Sequence, residues 1–263
     1  MALVTPKSAI GASMLKGFHI TTGFNPTTLN QLGASWWCGT DEVLRVIRNV
    51  SEQAQFEALT STYVYRIPHD ASVSEIQAVQ QLSNFNNEFI VMNEPDLAGF
   101  THQYTADRVT TAVQNIQAAD PTRNNKIMLC AGSQYAGTAY VAAVLNLLPS
   151  NIRALLDGIA FHYYSEADTS GGVYDENKLR VFLQDKTEWA AIAGFTKLWL
   201  SEFGWTNAAN PTRVANCMQR WVNVIEEFTP FKRFNWYGAQ VPNYQALVNG
   251  TGLTAVGSAF VGV

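Results

Sequence analysis

The chain has 263 residues, of which 47% are hydrophobic and 14% are charged, and its formal net charge is −4. This length allows one large core, and this composition excludes a disordered protein. The slightly acidic charge balance argues against a nucleic-acid partner, and the low content of charge suits a neutral ligand. Aromatic residues make up 12% of the chain, which suits stacking on flat, weakly polar ligands as well as core packing.

Short apolar runs alternate with longer segments of helical periodicity along the whole chain. This alternation is typical of a parallel sheet covered by helices, whose buried strands are apolar on both faces. We predict eight strands, which in chain order are Lys16–Thr21, Ser35–Gly39, Thr62–Ile67, Phe89–Met92, Ile127–Ala131, Ile159–Phe161, Leu198–Leu200 and Phe234–Tyr237.

Helices are predicted between these strands from their capping residues and their apolar periodicity. The signals in chain order are the capping box Ser72-x-x-Glu75, the periodic stretch Thr105–Asp120, Asp175 ahead of a stretch that ends near Ala193, and the pair Asn210-Pro211. The longest polar loop, Ser165–Asn177, follows the sixth strand.

Eight strands separated by helices predict an α/β fold, a (β/α)8 TIM barrel, and no change in composition divides residues 1–263 into more than a single domain. A doubly wound open sheet is the main alternative, and it would usually carry a Gly-rich phosphate loop after the first strand. Neither GxGxxG nor GxxxxGK[ST] occurs in the chain. In the barrel, the loop Ser165–Asn177 would lie on the C-terminal rim, where active-site loops gather.

Three cysteines, Cys38, Cys130 and Cys217, are widely separated along the chain. An odd number rules out a full disulfide framework, so we predict small buried side chains and favour a reducing compartment. The sequence contains no recognisable signal peptide and no apolar stretch of about 18 residues, so neither a membrane span nor a membrane partner is predicted. Localisation stays open between the cytoplasm and secretion after removal of a leader. A monomer is expected.

Two predicted strands are each followed by a glutamate. Glu94 follows the fourth strand in Phe89–Asp96, and Glu202 follows the seventh in Leu198–Trp205. Both would lie at the C-terminal mouth of a parallel barrel, where catalytic groups belong. Hydrolysis of a glycosidic bond requires two carboxyl groups at one site, one protonated and the other ionised. Structural roles are the alternative. The charge of Glu94 could stabilise the N-terminus of a helix through the helix dipole, and Glu202 could pair with an arginine.

The pattern Asn93-Glu94-Pro95 after the fourth strand, with Ser-Glu202-Phe-Gly after the seventh, resembles the signature of glycoside hydrolase clan A, the 4/7 superfamily of retaining (β/α)8 hydrolases. Small members of families 128 and 39 are most similar. The resemblance implies a retaining, endo-type hydrolase of a β-linked polysaccharide, a β-glucan and through family 128 a β-1,3-glucan. It implies a polysaccharide or oligosaccharide as substrate, with neither a cofactor nor a metal.

The resemblance also assigns roles to individual residues. Glu94 would be the general acid/base and Glu202 the nucleophile. Asn93 would bind the 2-OH of the sugar next to the scissile bond. Tyr164, in the segment Phe161-His-Tyr-Tyr164, would donate a hydrogen bond to the nucleophile, and His162 would line the site.

Further candidates complete the predicted sugar site. Trp236, after the eighth strand, is similar to the sugar-stacking tryptophan of the clan, and Trp205 is a second candidate. The clan often has an arginine at the end of the second strand, where this chain has none, so Arg66 in the third strand is the candidate partner of the nucleophile. Other aromatic candidates, half of them expected to be packing residues, are Trp36, Trp37, Tyr237 and Tyr244. Asp96 and Asp168 are either sugar ligands or solvated loop charges.

Three other interpretations stay open. The barrel could bind carbohydrate without cleaving it, or it could hydrolyse mannan, xylan or galactan. It could also be a metal-dependent hydrolase that uses His69, Asp70 and His162, although no paired spacing of ligands supports a metal.

Overall fold

A computed structural model describes residues 15–20, 25–39, 50–68, 70–130, 132–135, 137–166, 176–206, 211–239, 246–250 and 252–263. Eight parallel strands close into a barrel in chain order, and the last strand pairs with the first. The strands are β1 Leu15–His19, β2 Trp36–Gly39, β3 Thr62–Ile67, β4 Phe85–Val91, β5 Lys126–Cys130, β6 Gly158–Glu166, β7 Leu198–Thr206 and β8 Phe231–Trp236. The predicted (β/α)8 barrel is therefore confirmed.

Helices follow the strands around the outside of the barrel. Those described are α1 Pro26–Asn30, α2 Val50–Glu57, α3 Val73–Gln80, α4 His102–Ala119, α5 Gly137–Leu147, α6 Ser150–Arg153, α7 Glu176–Ile192, α8 Pro211–Glu226 and α9 Ala255–Val261. The capping box of Ser72 and Glu75 is formed at the start of α3, as predicted. A short hairpin of β9 Val248–Asn249 and β10 Gly252–Leu253 precedes α9. None of the described helices is both long and apolar enough to cross a membrane.

The predicted bounds of several elements differ from the structure. Strand β4 begins four residues earlier than predicted, while β6 and β7 extend beyond their apolar runs to Glu166 and Thr206. Periodicity missed the ends of β6 and β7 because polar side chains at the mouth of a barrel face its interior. It missed the start of β4 because Asn86, Asn87 and Glu88 interrupt the apolar run. The predicted helix starts Asp175 and Asn210 lie outside the described residues.

Side chains alternate between the inside of the barrel and the layer beneath the helices. The inner apolar cluster consists of Trp36, Cys38, Val64, Ile90, Met128, Cys130, Ala160 and Trp199. The intervening residues join the larger core between the sheet and the helices. All three cysteines are free and buried, as predicted.

A buried ion pair fills the barrel at the end where its strands begin. Arg233 donates from Nη2 to Oε1 of Glu88 over 2.7 Å, and its Nη1 lies 2.7 Å from Oε2. The guanidinium lies between two indole rings, 4.4 Å from the ring of Trp199 and 5.5 Å from that of Trp36. Lys126 adds a contact of 3.0 Å to Glu88 from the outer edge. We call this group the floor of the barrel.

Strand β7 contains a bulge where its polar half begins. Phe161 of β6 pairs with Leu200, but the next residue, His162, pairs with Glu202. The same extra residue appears in the register against β8. The carbonyl of Ser201 accepts a hydrogen bond of 2.9 Å from the side chain of Asn235. Strict alternation after the inward-facing Trp199 would turn Glu202 towards the helices, so the bulge directs this carboxylate into the barrel.

Candidate active site

Glu94 lies on a strained turn at the end of β4. Met92 has a φ of 70° and Glu94 a φ of 42°, so two non-glycine residues adopt the left-handed region within three positions. Such backbone is costly and is concentrated at functional sites. The turn is held by a hydrogen bond of 3.1 Å from the amide of Ala98 to the carbonyl of Glu94. The Glu94 side chain keeps 22% of its surface exposed, which leaves it open to a ligand.

Glu202 is buried, and both of its carboxylate oxygens are engaged. Arg66 donates to Oε1 and Tyr164 donates from its hydroxyl to Oε2. The same Nη1 of Arg66 donates to Oδ1 of Asn93 over 2.8 Å. The structure thus brings Arg66, Tyr164 and Asn93 around Glu202, as the sequence predicted for the first two.

His162 lies beneath the two glutamates and joins them. Its Nδ1 is 2.9 Å from Oε1 of Glu94 and 3.3 Å from Oε2 of Glu202. Its Nε2 is 3.4 Å from the sulfur of Cys130. The ring is fully buried, so His162 supports the carboxylates from below and does not reach the surface of the site.

Charges within the site fix the protonation of Glu202 and His162. Burial alone would raise the pKa of Glu202, but the charges of Arg66 and His162 lower it to about 2. Burial would likewise lower the pKa of His162, but Glu202 and Cys130 raise it to about 10. Glu202 is therefore ionised and His162 is protonated at neutral pH.

A cavity of about 190 Å³ opens above these groups, and it is lined by His19, Arg66, Asn93, Glu94, Tyr164, Glu202 and Tyr237. Carboxylate oxygens of Glu94 and Glu202 lie within 4.8 Å of each other. Retaining glycosidases hold their two carboxyl groups about 5–5.5 Å apart, whereas inverting enzymes separate them by about 6.5–9.5 Å. The observed approach is nearer to the separation in retaining enzymes than to that in inverting ones.

Comparison with known families agrees with this geometry. The family described as "Glycosyl hydrolase catalytic core" matches residues 54–260. The chain belongs to this family. Its reaction class is therefore the hydrolysis of glycosidic bonds, and both glutamates lie within the matched part.

Solved structures share the fold of this glycosyl hydrolase. An endo-β-1,3-glucanase of family 128 from Amycolatopsis mediterranei, solved with laminaritriose, is 17% identical at a TM-score of 0.64, over 95% of this chain and 99% of that one. A family 128 endo-β-1,3-glucanase from Sorangium cellulosum is 16% identical at a TM-score of 0.70, over 94% and 97%. A curdlan-specific exo-β-1,3-glucanase from Blastomyces gilchristii, solved with glucose, is 16% identical at 0.67, over 95% and 98%. No curated protein sequence matches the chain.

Neither tryptophan predicted to stack on sugar lines the cavity of the hydrolase, contrary to the sequence analysis. Trp236 is fully buried on the helix side of the barrel, where its ring meets Phe203 edge to face at 5.3 Å. Trp205 is also buried there and stacks on Trp221 at 5.2 Å. Both rings face outward because Trp205 and Trp236 occupy strand positions whose side chains point towards the helices. Tyr237, one residue beyond Trp236, faces the cavity instead.

Sequence analysis missed His19, which lies at the end of β1 and lines the cavity. Its ring stacks on Tyr237 with 4.8 Å between the ring centroids. Tyr237 in turn meets Tyr164 edge to face at 5.8 Å. A histidine near the end of a predicted strand was the available signal, but the strand was predicted to continue two residues beyond it.

Loops around the hydrolase site are tied together by short hydrogen bonds. Asp96 accepts from the amide of Ser133 over 2.9 Å and from its hydroxyl over 2.6 Å. The side chain of Gln134 accepts from the amide of Tyr164. Asp96 is thus occupied in joining the loops after β4 and β5. Three other predicted candidates, His69, Asp168 and Tyr244, lie outside the described residues.

The chemistry of the donor set favours a proton network over a metal site. Ligand atoms of Glu94, His162 and Glu202 lie within 4.8 Å of one another, a spacing that could hold an ion. However, Oε1 of Glu202 already accepts from Arg66 and Oε2 from Tyr164. A metal cation would meet the guanidinium charge at close range, which is unfavourable in a buried site.

Proposed function

We propose that this glycosyl hydrolase cleaves a β-1,3-glucan internally by a retaining double displacement, with Glu94 as acid/base and Glu202 as nucleophile. The approach of their carboxylate oxygens to within 4.8 Å at the mouth of the barrel carries the proposal. Inverting enzymes hold their carboxyl groups farther apart, at about 6.5–9.5 Å, to accommodate the attacking water.

In the first step, Glu94 gives its proton to the glycosidic oxygen while a carboxylate oxygen of Glu202 attacks the anomeric carbon. The bond from that carbon to the leaving oxygen breaks, and a glycosyl ester of Glu202 forms. Glu202 is suited to this role because its low pKa keeps it ionised. Its contacts with Arg66 and Tyr164 hold it in place, so little reorganisation is needed.

In the second step, Glu94 is a carboxylate and accepts a proton from water. The water oxygen attacks the anomeric carbon, and the ester bond to Glu202 breaks. Two displacements return the original configuration. Nδ1 of His162 lies 2.9 Å from Oε1 of Glu94, so the imidazole can donate a hydrogen bond to the Glu94 carboxylate in this step.

Several observations support β-1,3-glucan as the substrate. The fold neighbours include glucanases whose structures contain laminaritriose or glucose. Asn93 is exposed beside Glu94, where its amide can bind the 2-OH of the reacting sugar. Two carboxyl groups and a single guanidinium line the cavity, which suits an uncharged glycan better than an anionic one.

The test is a reducing-sugar assay of the wild type and of Glu202→Gln on β-1,3-, β-1,4- and mixed-linkage glucans, mannan, xylan and galactan. We expect the wild type to act on β-1,3-glucan and the variant to lose at least about 1,000-fold, because the nucleophile is removed. Glu227→Gln is the matched control, since Glu227 pairs with Arg180 on the surface. Activity should also survive exhaustive chelation of metal ions.

Each alternative gives a different result. Full activity of Glu202→Gln would contradict the assignment of the nucleophile. Turnover of mannan, xylan or galactan alone would replace the substrate but keep the mechanism. Glycan binding without any turnover by the wild type would indicate a binding barrel, and activity that depends on added metal would contradict the proton mechanism. If NMR shows that the first product has the inverted anomeric configuration, retention is contradicted.

A further inference from the structure

His19 is a buried polar side chain that faces the cavity with its hydrogen-bonding capacity unused. The residue is only 5% exposed and lines the cavity beside both glutamates. Neither Nδ1 nor Nε2 has a hydrogen-bond partner among the residues that the structure describes. Most buried polar groups in proteins are hydrogen-bonded, so a buried ring with two unused nitrogens at a ligand cavity indicates that a ligand supplies the partners.

The surroundings of His19 determine which kind of ligand fits. Burial and the charge of Arg66 lower the pKa of His19 to about 3. The neutral ring has one nitrogen that donates and one that accepts. Stacking on Tyr237, with 27° between the ring planes, fixes the plane of the imidazole, so both nitrogens act from a defined edge.

A hydroxyl-bearing, uncharged ligand matches these requirements best. A hydroxyl group can both donate and accept, so two hydroxyls satisfy both nitrogens. A carboxylate can only accept, and it would also face the negative charge of Glu202. An ammonium group can only donate, and it would face the positive charge of Arg66.

We propose that His19 is a specificity-determining residue that binds hydroxyl groups of the sugar held against Glu202, with one ring nitrogen donating and the other accepting. This inference rests on the proposed function and adds to it a sugar-binding residue on β1. His19 stays neutral over the working pH range, so it takes no part in proton transfer. It orients the sugar and selects the arrangement of its hydroxyls.

The experiment compares two substitutions that separate the ring from its nitrogens. His19→Phe keeps a flat ring that can stack on Tyr237 but removes both hydrogen-bonding atoms. His19→Asn removes the ring but keeps a donor and an acceptor. His102→Gln is the control, because His102 lies at the start of α4 with its ring against Tyr140 and outside the cavity lining.

Two readouts are measured: kcat/KM on β-1,3-glucan, and the Kd of laminaritriose by calorimetry in the Glu202→Gln background, where turnover does not interfere. We expect His19→Phe to weaken both by about 10-fold or more, since it removes two hydrogen bonds to the sugar. His19→Asn should recover part of this loss, and His102→Gln should match the wild type. The pH dependence of kcat/KM should keep its shape in all variants.

Two results would overturn the inference. If the wild type cleaves the glucan and His19→Phe binds and cleaves it equally well, the ring only packs against Tyr237. If His19→Phe abolishes a limb of the pH profile, His19 transfers a proton and is not a neutral ligand. A wild type that neither binds nor cleaves any glycan refutes the proposed function itself, which the wild-type measurement reveals before any variant is compared.

Discussion

Arg66 controls both the position and the charge of Glu202, the proposed nucleophile. It donates to Glu202 and to Asn93 from one nitrogen, so it also fixes the distance between the nucleophile and the residue proposed to bind the 2-OH. The buried guanidinium is the first of the causes that lower the pKa of Glu202 against the opposing effect of burial. Without it, burial would favour the protonated, unreactive acid.

We therefore predict that Arg66→Gln lowers kcat/KM by about 100- to 1,000-fold, comparable to the loss of one preorganised donor in an active site. The acidic limb of the pH profile of kcat/KM should also move to higher pH, because this limb reports the ionisation of Glu202 in the free enzyme.

Arg66→Lys and Tyr164→Phe are the matched controls for this measurement. The lysine keeps a positive charge, so its acidic limb should stay near that of the wild type although its rate falls. Tyr164→Phe removes a neutral donor, and its limb should move less than that of Arg66→Gln. An unmoved limb in Arg66→Gln would show that Arg66 acts only by packing.

Residue type and position after a strand were enough to predict that Glu94 and Glu202 share one site, and the family resemblance added Arg66 and Tyr164. These signals were not enough for the aromatic residues. Adjacent residues of a strand face opposite sides, so an error of one position replaces a cavity residue by a core residue. Trp236 and Tyr237 differ by that single position, and the larger ring was preferred wrongly.

At the scale of whole strands, the apolar runs located all eight strands but could not locate the bulge in β7. Leu198 and Leu200 face the helices before the bulge, and Phe203 and Trp205 face them after it. This shift by one residue could not be recognised, because the inward-facing Trp199 makes the start of the strand a continuous apolar run. Register against β6 and β8 exists only once the barrel is closed. The direction of Glu202 therefore depends on tertiary pairing, whereas its presence at a strand end could be predicted.

The buried ion pair of the floor joins strands β4 and β8, and we predict that the contributions of Glu88 and Arg233 to stability depend on each other. Glu88→Gln leaves Arg233 as a buried charge without its carboxylate, so the free energy of unfolding should fall by about 3–5 kcal/mol. The double variant Glu88→Leu/Arg233→Met removes both charges and should lie much closer to the wild type.

Urea unfolding followed by tryptophan fluorescence measures these differences, and activity of the folded protein should persist because the floor does not line the cavity. Glu227→Gln, which breaks the exposed pair with Arg180, should cost no more than about 1 kcal/mol. If Glu88→Gln costs equally little, the floor pair contributes no more than a surface pair.

For the molecule as a whole, the site imposes a pH dependence on stability. The pKa of Glu202 falls from 4.5 to about 2 on folding, so its stabilising contribution is complete above pH 4.5 and is lost as the pH falls towards 2. The pKa of His162 rises from 6.5 to about 10, so its contribution is complete below pH 6.5 and is lost as the pH rises towards 10. The pKa of His19 falls from 6.5 to about 3 on folding, so keeping this ring neutral costs stability below pH 6.5. We predict maximal stability near pH 6.5.

The free energy of unfolding in urea, measured from pH 2 to pH 10, tests this prediction. In Glu202→Gln, the free energy of unfolding should fall less steeply between pH 4.5 and pH 2. It should also begin to decline at a lower pH on the alkaline side, because Glu202 is the chief cause that raises the pKa of His162. Parallel curves for the wild type and the variant would mean that other groups set the pH dependence.

The packed floor also determines the route by which small molecules reach the two glutamates. Within the described residues, the interior below the glutamates is filled by the ion pair, two indole rings and the inner apolar cluster. The water that releases the glycosyl ester must then arrive through the mouth, by the space that the departing sugar has just vacated. A sugar hydroxyl that occupies this space first takes the place of water, and the product is a longer glycan instead of a shorter one. Under the proposed double displacement, the closed floor therefore predicts that transfer to an acceptor sugar competes with hydrolysis whenever acceptor sugars are abundant.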